Sequence, residues 1–113
     1  MTRAVLGLVT CGSKPEARRL ATALLNARAA ACVNVVAGVE SHYWWEGRRT
    51  TSRECLLLIK TTPARRSLVE RTVRATHSYA VPEIVFVAIQ SGERRYLDWL
   101  RRAVRPGAKR KGV

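Results

Sequence analysis

His77 is the residue of this 113-residue chain best suited to hold a metal ion. It is a lone imidazole between a helical and an extended stretch, with Tyr79 and Glu83 close by in sequence. Cu(II) accepts imidazole nitrogen and Cu(I) prefers soft sulfur, so Cys11 and Cys32 are its candidate partners at a copper or other divalent-cation site. No short spacing fixes a second ligand, and His77 also reads as a ring that hydrogen-bonds a backbone carbonyl and holds its loop. A second set is Trp45, Glu54, Lys60, Tyr79 and Glu83, polar or amphipathic groups near strand ends that suit the lining of a cleft. Glu54 and Glu83 are a pair that acid–base chemistry would need, but such carboxylates more often satisfy a lysine and backbone groups. With no nucleophile–base spacing, glycine-rich phosphate loop or metal-hydrolase motif, catalysis is not expected.

These residues need a scaffold, and the hydrophobic pattern supplies one. Ala4 to Cys11 is a nearly continuous apolar run that fits a strand buried on both faces. Ser13-Lys14-Pro15-Glu16 matches a capping box, followed by Ala17, Leu20, Ala21 and Leu24 at helical spacing to about Arg28. Ala31 to Trp45 alternates as an extended strand, broken at Gly38 by a bulge or bend. Glu46 to Arg49 turns the chain, and Thr50 to Thr61 returns. Thr62-Pro63 opens a second helix with Leu68, Val69, Val73 and Thr76 inward. Ile84 to Ile89 reads as a buried strand, and Tyr96 to Val104 as a last amphipathic helix stopped by Pro106-Gly107. The order β-α-β-β-α-β-α predicts an α+β, ferredoxin-like (βαββαβ plus C-terminal helix) domain over residues 1–105, with a basic, disordered tail over 106–113.

Composition limits the function classes. Hydrophobic residues make up 47%, enough for a core. Lys+Arg 21 against Asp+Glu 8 gives a net charge of +13, which attracts phosphate-rich or acidic partners. Six positive charges follow Asp98 with no acid between them, from Arg101 to Lys111. They read as a solvated terminus and, more sharply, as a nonspecific nucleic-acid contact. Cys11, Cys32 and Cys55 lie far apart among apolar neighbours, so they read as buried thiols in a reducing compartment. The short apolar N-terminal run reads as a strand rather than a signal peptide, and no run approaches membrane-spanning length. The expectation is a cytoplasmic protein without a membrane partner.

The hairpin decides the assembly. Extended throughout, Ala31 to Trp45 reaches ~50 Å at about 3.3 Å per residue, well past the neighbouring strands. Its end carries Tyr43, Trp44 and Trp45, whose rings are costly to leave in water. Free strand edges also seek partners, so a homo-oligomer closed by mutual completion of hairpins is expected.

Several stretches together resemble the CutA family of divalent-cation tolerance proteins. They are Ala30-Ala31-Cys32-Val33-Asn34, Gly38 through Gly47, Glu54 through Thr61, His77-Ser78-Tyr79-Ala80-Val81-Pro82-Glu83-Ile84 and Tyr96-Leu97-Asp98-Trp99-Leu100. The resemblance implies a ferredoxin-like subunit, a homotrimer with intersubunit strand pairing and architectural kinship to PII signalling proteins. It also implies a non-catalytic role in divalent-metal tolerance, with copper binding among bacterial members. The family's His-Pro-Tyr-Glu loop appears here as His77-Ser78-Tyr79-Ala80. Where some bacterial members offer a thiol in the first strand and a thiol and an extra His before the loop, this chain has Val9, Thr72 and Thr76. In the implied trimer, Trp45, Glu54, Lys60, Tyr79 and Glu83 would line clefts between subunits.

Two other readings compete. The same element order is that of an RNA-recognition module, which needs exposed aromatics on its central strands. Cys55-Leu56-Leu57-Leu58-Ile59 is aliphatic and cannot stack on bases. A structural trimeric scaffold for a partner protein is the other.

Overall fold

The structure, a computed structural model, describes residues 3–107. Strands β1 (Ala4–Cys11), β2 (Cys32–Trp45), β3 (Arg48–Thr61) and β4 (Ile84–Ile89) alternate with helices α1 (Lys14–Asn26), α2 (Arg66–Thr76) and α3 (Arg94–Ala103). They form one antiparallel sheet in the order β2-β3-β1-β4, which is the ferredoxin-like arrangement read from the sequence. Among the tail residues 106–113, those beyond Gly107 lie outside the described residues.

Alternation along the two central strands divides the sheet into unlike faces. Val9 and Cys11 of β1 and Leu57 and Ile59 of β3 point to one side, where Leu20 and Leu24 of α1 and Val69 and Val73 of α2 complete the core. A side chain repeats on one face every second strand residue and on one helix stripe every third or fourth, so these sets meet. Gly7 sits within this layer. A Cβ there would lie 3.3 Å from both the Ile59 Cβ and the Phe86 ring. Gly7→Ala is therefore expected to cost about 1–2 kcal/mol by overpacking, read as a lower denaturant midpoint at unchanged slope.

The local signals of α1 hold in detail. Ser13 is its N-cap, and its hydroxyl accepts from the Glu16 amide at 3.3 Å. The start of α2 differs from expectation. A single 3-10 turn, Pro63–Arg65, precedes it, and Thr62 makes no side-chain capping bond. The Arg65 amide donates to the Thr62 carbonyl instead at 3.0 Å, closing the tighter turn that Pro63 begins.

The hairpin is longer on its return limb than the sequence suggested. Its turn is only Glu46-Gly47, both with positive φ (48° and 77°), and Trp45 pairs directly with Arg48. Two central residues at positive φ twist the hairpin the way its strands already twist. Gly38, at φ 74°, stands where the β2–β3 register slips between Val36 and Val39, as expected of a bulge. The molecule is accordingly drawn out to 47 Å along its long axis.

β4 corrects the expectation of a buried strand. It is an edge strand, and Val85 and Val87 are 45% and 52% exposed. Both belong to the sheet face that α1 and α2 leave uncovered, opposite Leu8 and Leu6 of β1. Cys32 is also a correction, being half-buried at the start of edge strand β2, whereas Cys11 and Cys55 are buried.

Candidate functional site

The loop after α2 folds across the end of β1, and His77 anchors it. Its imidazole Nε2 donates to the Thr10 carbonyl at 2.7 Å, while Nδ1 accepts from the Tyr79 amide at 3.0 Å. A carbonyl can only accept, so this pair of bonds sets the tautomer. Glu16 completes the anchor from α1. Its Oε2 accepts from the Ser78 amide at 2.7 Å and lies 3.5 Å from His77 Nδ1, and its Oε1 accepts from the Gly12 amide at 3.4 Å. Burial alone would raise the Glu16 pKa. The Ser78 bonds, the neighbouring His77 and the Gly12 amide together outweigh it and hold the carboxyl below the ordinary value.

Tyr79, aimed by this anchor, packs against His77 with ring centroids 4.7 Å apart and donates its hydroxyl to Glu54 Oε2 at 2.9 Å. Glu54 comes from β3 beside the bulge, paired with Val39 across the ladder. Burial, then the Glu54 carboxylate, push the Tyr79 pKa up to about 12. The neutral phenol is the form the fold holds, so any stability it lends is present at neutral pH and lost as pH climbs from 10 towards 12. A spectrophotometric titration should show one late tyrosinate that is missing from Tyr79→Phe; a late component of equal size in both would contradict the pairing.

Around this pair lies a groove of about 630 Å³, with Thr10 of β1, Tyr43 and Trp45 of β2, Glu54 of β3, and Tyr79 and Glu83 of the loop on its walls. Four of the five expected cleft residues therefore converge. Lys60 does not: it stands at the far end of β3, its Nζ 5.9 Å over the Tyr96 ring of α3. Six residues along a strand span roughly 20 Å, so within one chain Lys60 and Glu54 do not line the same pocket. Sequence reasoning missed Thr10, whose hydroxyl donates to Glu83 Oε1 at 3.5 Å, and the cross-strand pair Ser41 and Ser52. Hairpin register counted from the turn would have found the serines.

The three proposed ligands, one imidazole and two thiols, are not brought together. Both His77 nitrogens are engaged as described. The Cys11 thiol donates to the Ser13 carbonyl at 3.5 Å, and burial pushes its pKa up, away from the thiolate a metal needs. Cys32 pairs with Lys60, at the opposite end of the sheet from Cys11. Among the described residues, no three of His, Cys, Asp and Glu are grouped to hold a metal ion. The donor set of one chain thus does not fit a buried copper centre.

Comparison with known proteins places this geometry. The family model described as CutA1 divalent ion tolerance protein matches residues 5–103. The chain belongs to the CutA1 family. It is 48% identical over 94 residues to the divalent-cation tolerance protein CutA of Thermus thermophilus, covering 83% of this chain and 91% of that one. It is 42% identical over 97 residues to the chloroplastic CutA 1 of Oryza sativa, covering 86% of this chain but only 55% of the rice protein. The solved structure of the Oryza sativa CutA1 superposes with a TM-score of 0.89 at 39% identity, covering 93% of this chain and 96% of that one. That of Thermus thermophilus superposes at 0.87 and 45% identity, covering 88% and 97%. The Thermus thermophilus relative bears the name of a divalent-cation tolerance protein, and the CutA1 match runs over residues 5–103, from β1 to the end of α3.

Proposed function

We propose that this CutA1-family chain acts in divalent-cation tolerance as a cytoplasmic, non-catalytic homotrimer, and that the Glu54–Tyr79 groove is its ligand site once a neighbouring subunit closes it. The observation that carries the reading is the convergence of Trp45, Glu54, Tyr79 and Glu83 on one groove, beside a hairpin whose Trp44 and Trp45 are 71% and 56% exposed. Indoles that open to water are stabilised by a partner surface, and unpaired strand edges supply its hydrogen bonds. The groove offers carboxylate and hydroxyl oxygens rather than soft donors, a lining that suits a divalent cation with part of its water shell kept. One chain's two carboxylates are an incomplete set, which a second subunit's side chains would extend.

Copper titration of native protein, Glu54→Gln and His77→Ala tests the site. Glu54→Gln is expected to weaken binding by about tenfold or more, since it removes a charged ligand. His77→Ala, which loosens the loop that aims Tyr79 but removes no proposed ligand, should weaken binding less than Glu54→Gln does. The reverse pattern would return the ligand role to the imidazole and remove the groove.

A further inference from the structure

The groove occupies the Cys11 end of β1, and the other end of the same strand carries a cavity of a different character. It measures about 690 Å³ and is lined by Arg3, Arg65, Arg101 and Arg105, with Pro63 and Val104 among its apolar walls and, among the described residues, no acidic one. β1 alone, eight residues long, holds the two sites roughly 25 Å apart. Three separate elements contribute: the residue before β1, the 3-10 turn before α2, and the end of α3.

We propose that this cavity binds an oligophosphate anion, a ligand unrelated to the groove's. One of its arginines is fixed by the backbone, and the helix end that carries two others is pinned. Arg65 Nε donates to the Val104 carbonyl at 2.8 Å, which fixes the guanidinium plane and leaves the two terminal nitrogens for a ligand. Arg28 Nη1 donates to the adjacent Ala103 carbonyl at 3.0 Å, pinning the same end of α3. Arg101 is only partly offset by Asp98, 3.4 Å away. Among the described residues, Arg3, Arg65 and Arg105 form no ion pair.

Guanidiniums gathered in excess of acids repel one another, and a bound anion relieves that repulsion. Their planar forks match phosphate oxygens two at a time, which a lysine head cannot do. A single phosphate would leave most of the four uncompensated, whereas a chain of phosphates meets them together. A strand of nucleic acid wants an extended basic track with stacking aromatics, and this cavity is concave and walled by proline and aliphatic side chains.

Calorimetric titration at low salt with inorganic triphosphate, adenosine triphosphate and adenosine tests the site. Both phosphates should bind and adenosine should not. Equal affinities would identify a free phosphate chain as the ligand, and a much tighter nucleotide its base-bearing form. Arg101→Gln/Arg105→Gln should weaken triphosphate by about tenfold or more, and Arg101→Lys/Arg105→Lys, which keeps charge and loses the forks, by an intermediate factor. Arg18→Gln/Arg19→Gln removes the same formal charge from the exposed side of α1 and should cost less than about threefold. Equal loss in the two glutamine pairs would show diffuse attraction to a basic protein, and absence of heat with triphosphate would show no site; either overturns the proposal.

Discussion

Val87→Asp is expected to break the proposed trimer into monomers at micromolar concentration. Val87 points from β4 to the sheet face that α1 and α2 leave bare, together with Val85, Leu6 and Leu8. Each valine that loses water at an interface contributes about 1.5–3 kcal/mol, whereas burying an unpaired carboxylate costs several kcal/mol or more. In a closed ring every substitution occurs once per subunit, so the penalty multiplies. Val87→Thr, close in shape and uncharged, should stay assembled. Light scattering of the two variants at equal concentration distinguishes them; a Val87→Asp protein of unchanged mass would mean that this face meets water in solution.

Glu16→Ala should lower stability by about 2–3 kcal/mol, since the Ser78 amide loses a short charge-assisted bond and the Gly12 amide its acceptor. The pH dependence has a defined sign. Glu16 is held below its ordinary value of 4.5 in the folded chain, so its contribution is full above that value. It fades as pH falls through the lowered folded value. Glu16→Gln keeps shape and loses charge, so the gap between native and Glu16→Gln in urea unfolding should narrow below pH 4.5. A gap that widens on acidification would contradict the assignment. The same variant should loosen the Tyr79 loop, because Ser78 is tied down through this carboxylate.

The parts of the molecule visible in the sequence are those set by local chemistry. The Ser13 cap, the Gly38 bend, the strand runs and the helical stripes each depend on residues a few positions apart, and all are present. Three features depend on distant pairing and were read only in part. Glu16 reads in the sequence as half of a capping box, but its carboxylate serves the loop 62 residues on. Lys60 groups with Glu54 as a polar residue near a strand end, yet six positions along β3 set the two apart within one chain. β4 reads as buried because its residues are apolar on both faces, yet it lies at the sheet edge with one face bare. An apolar sequence at an exposed position is what a face covered by another chain, as in the proposed trimer, would require. The arginine cavity was invisible for the same reason: its four residues come from three elements far apart in the sequence.

The mass of the native protein in solution tests the assembly most directly. Sedimentation equilibrium or light scattering at micromolar concentration should return three times the 12.6 kDa of one chain. A stable particle of one chain's mass, folded and with its indoles still wet, would contradict the shared groove and the mutual completion of hairpins together.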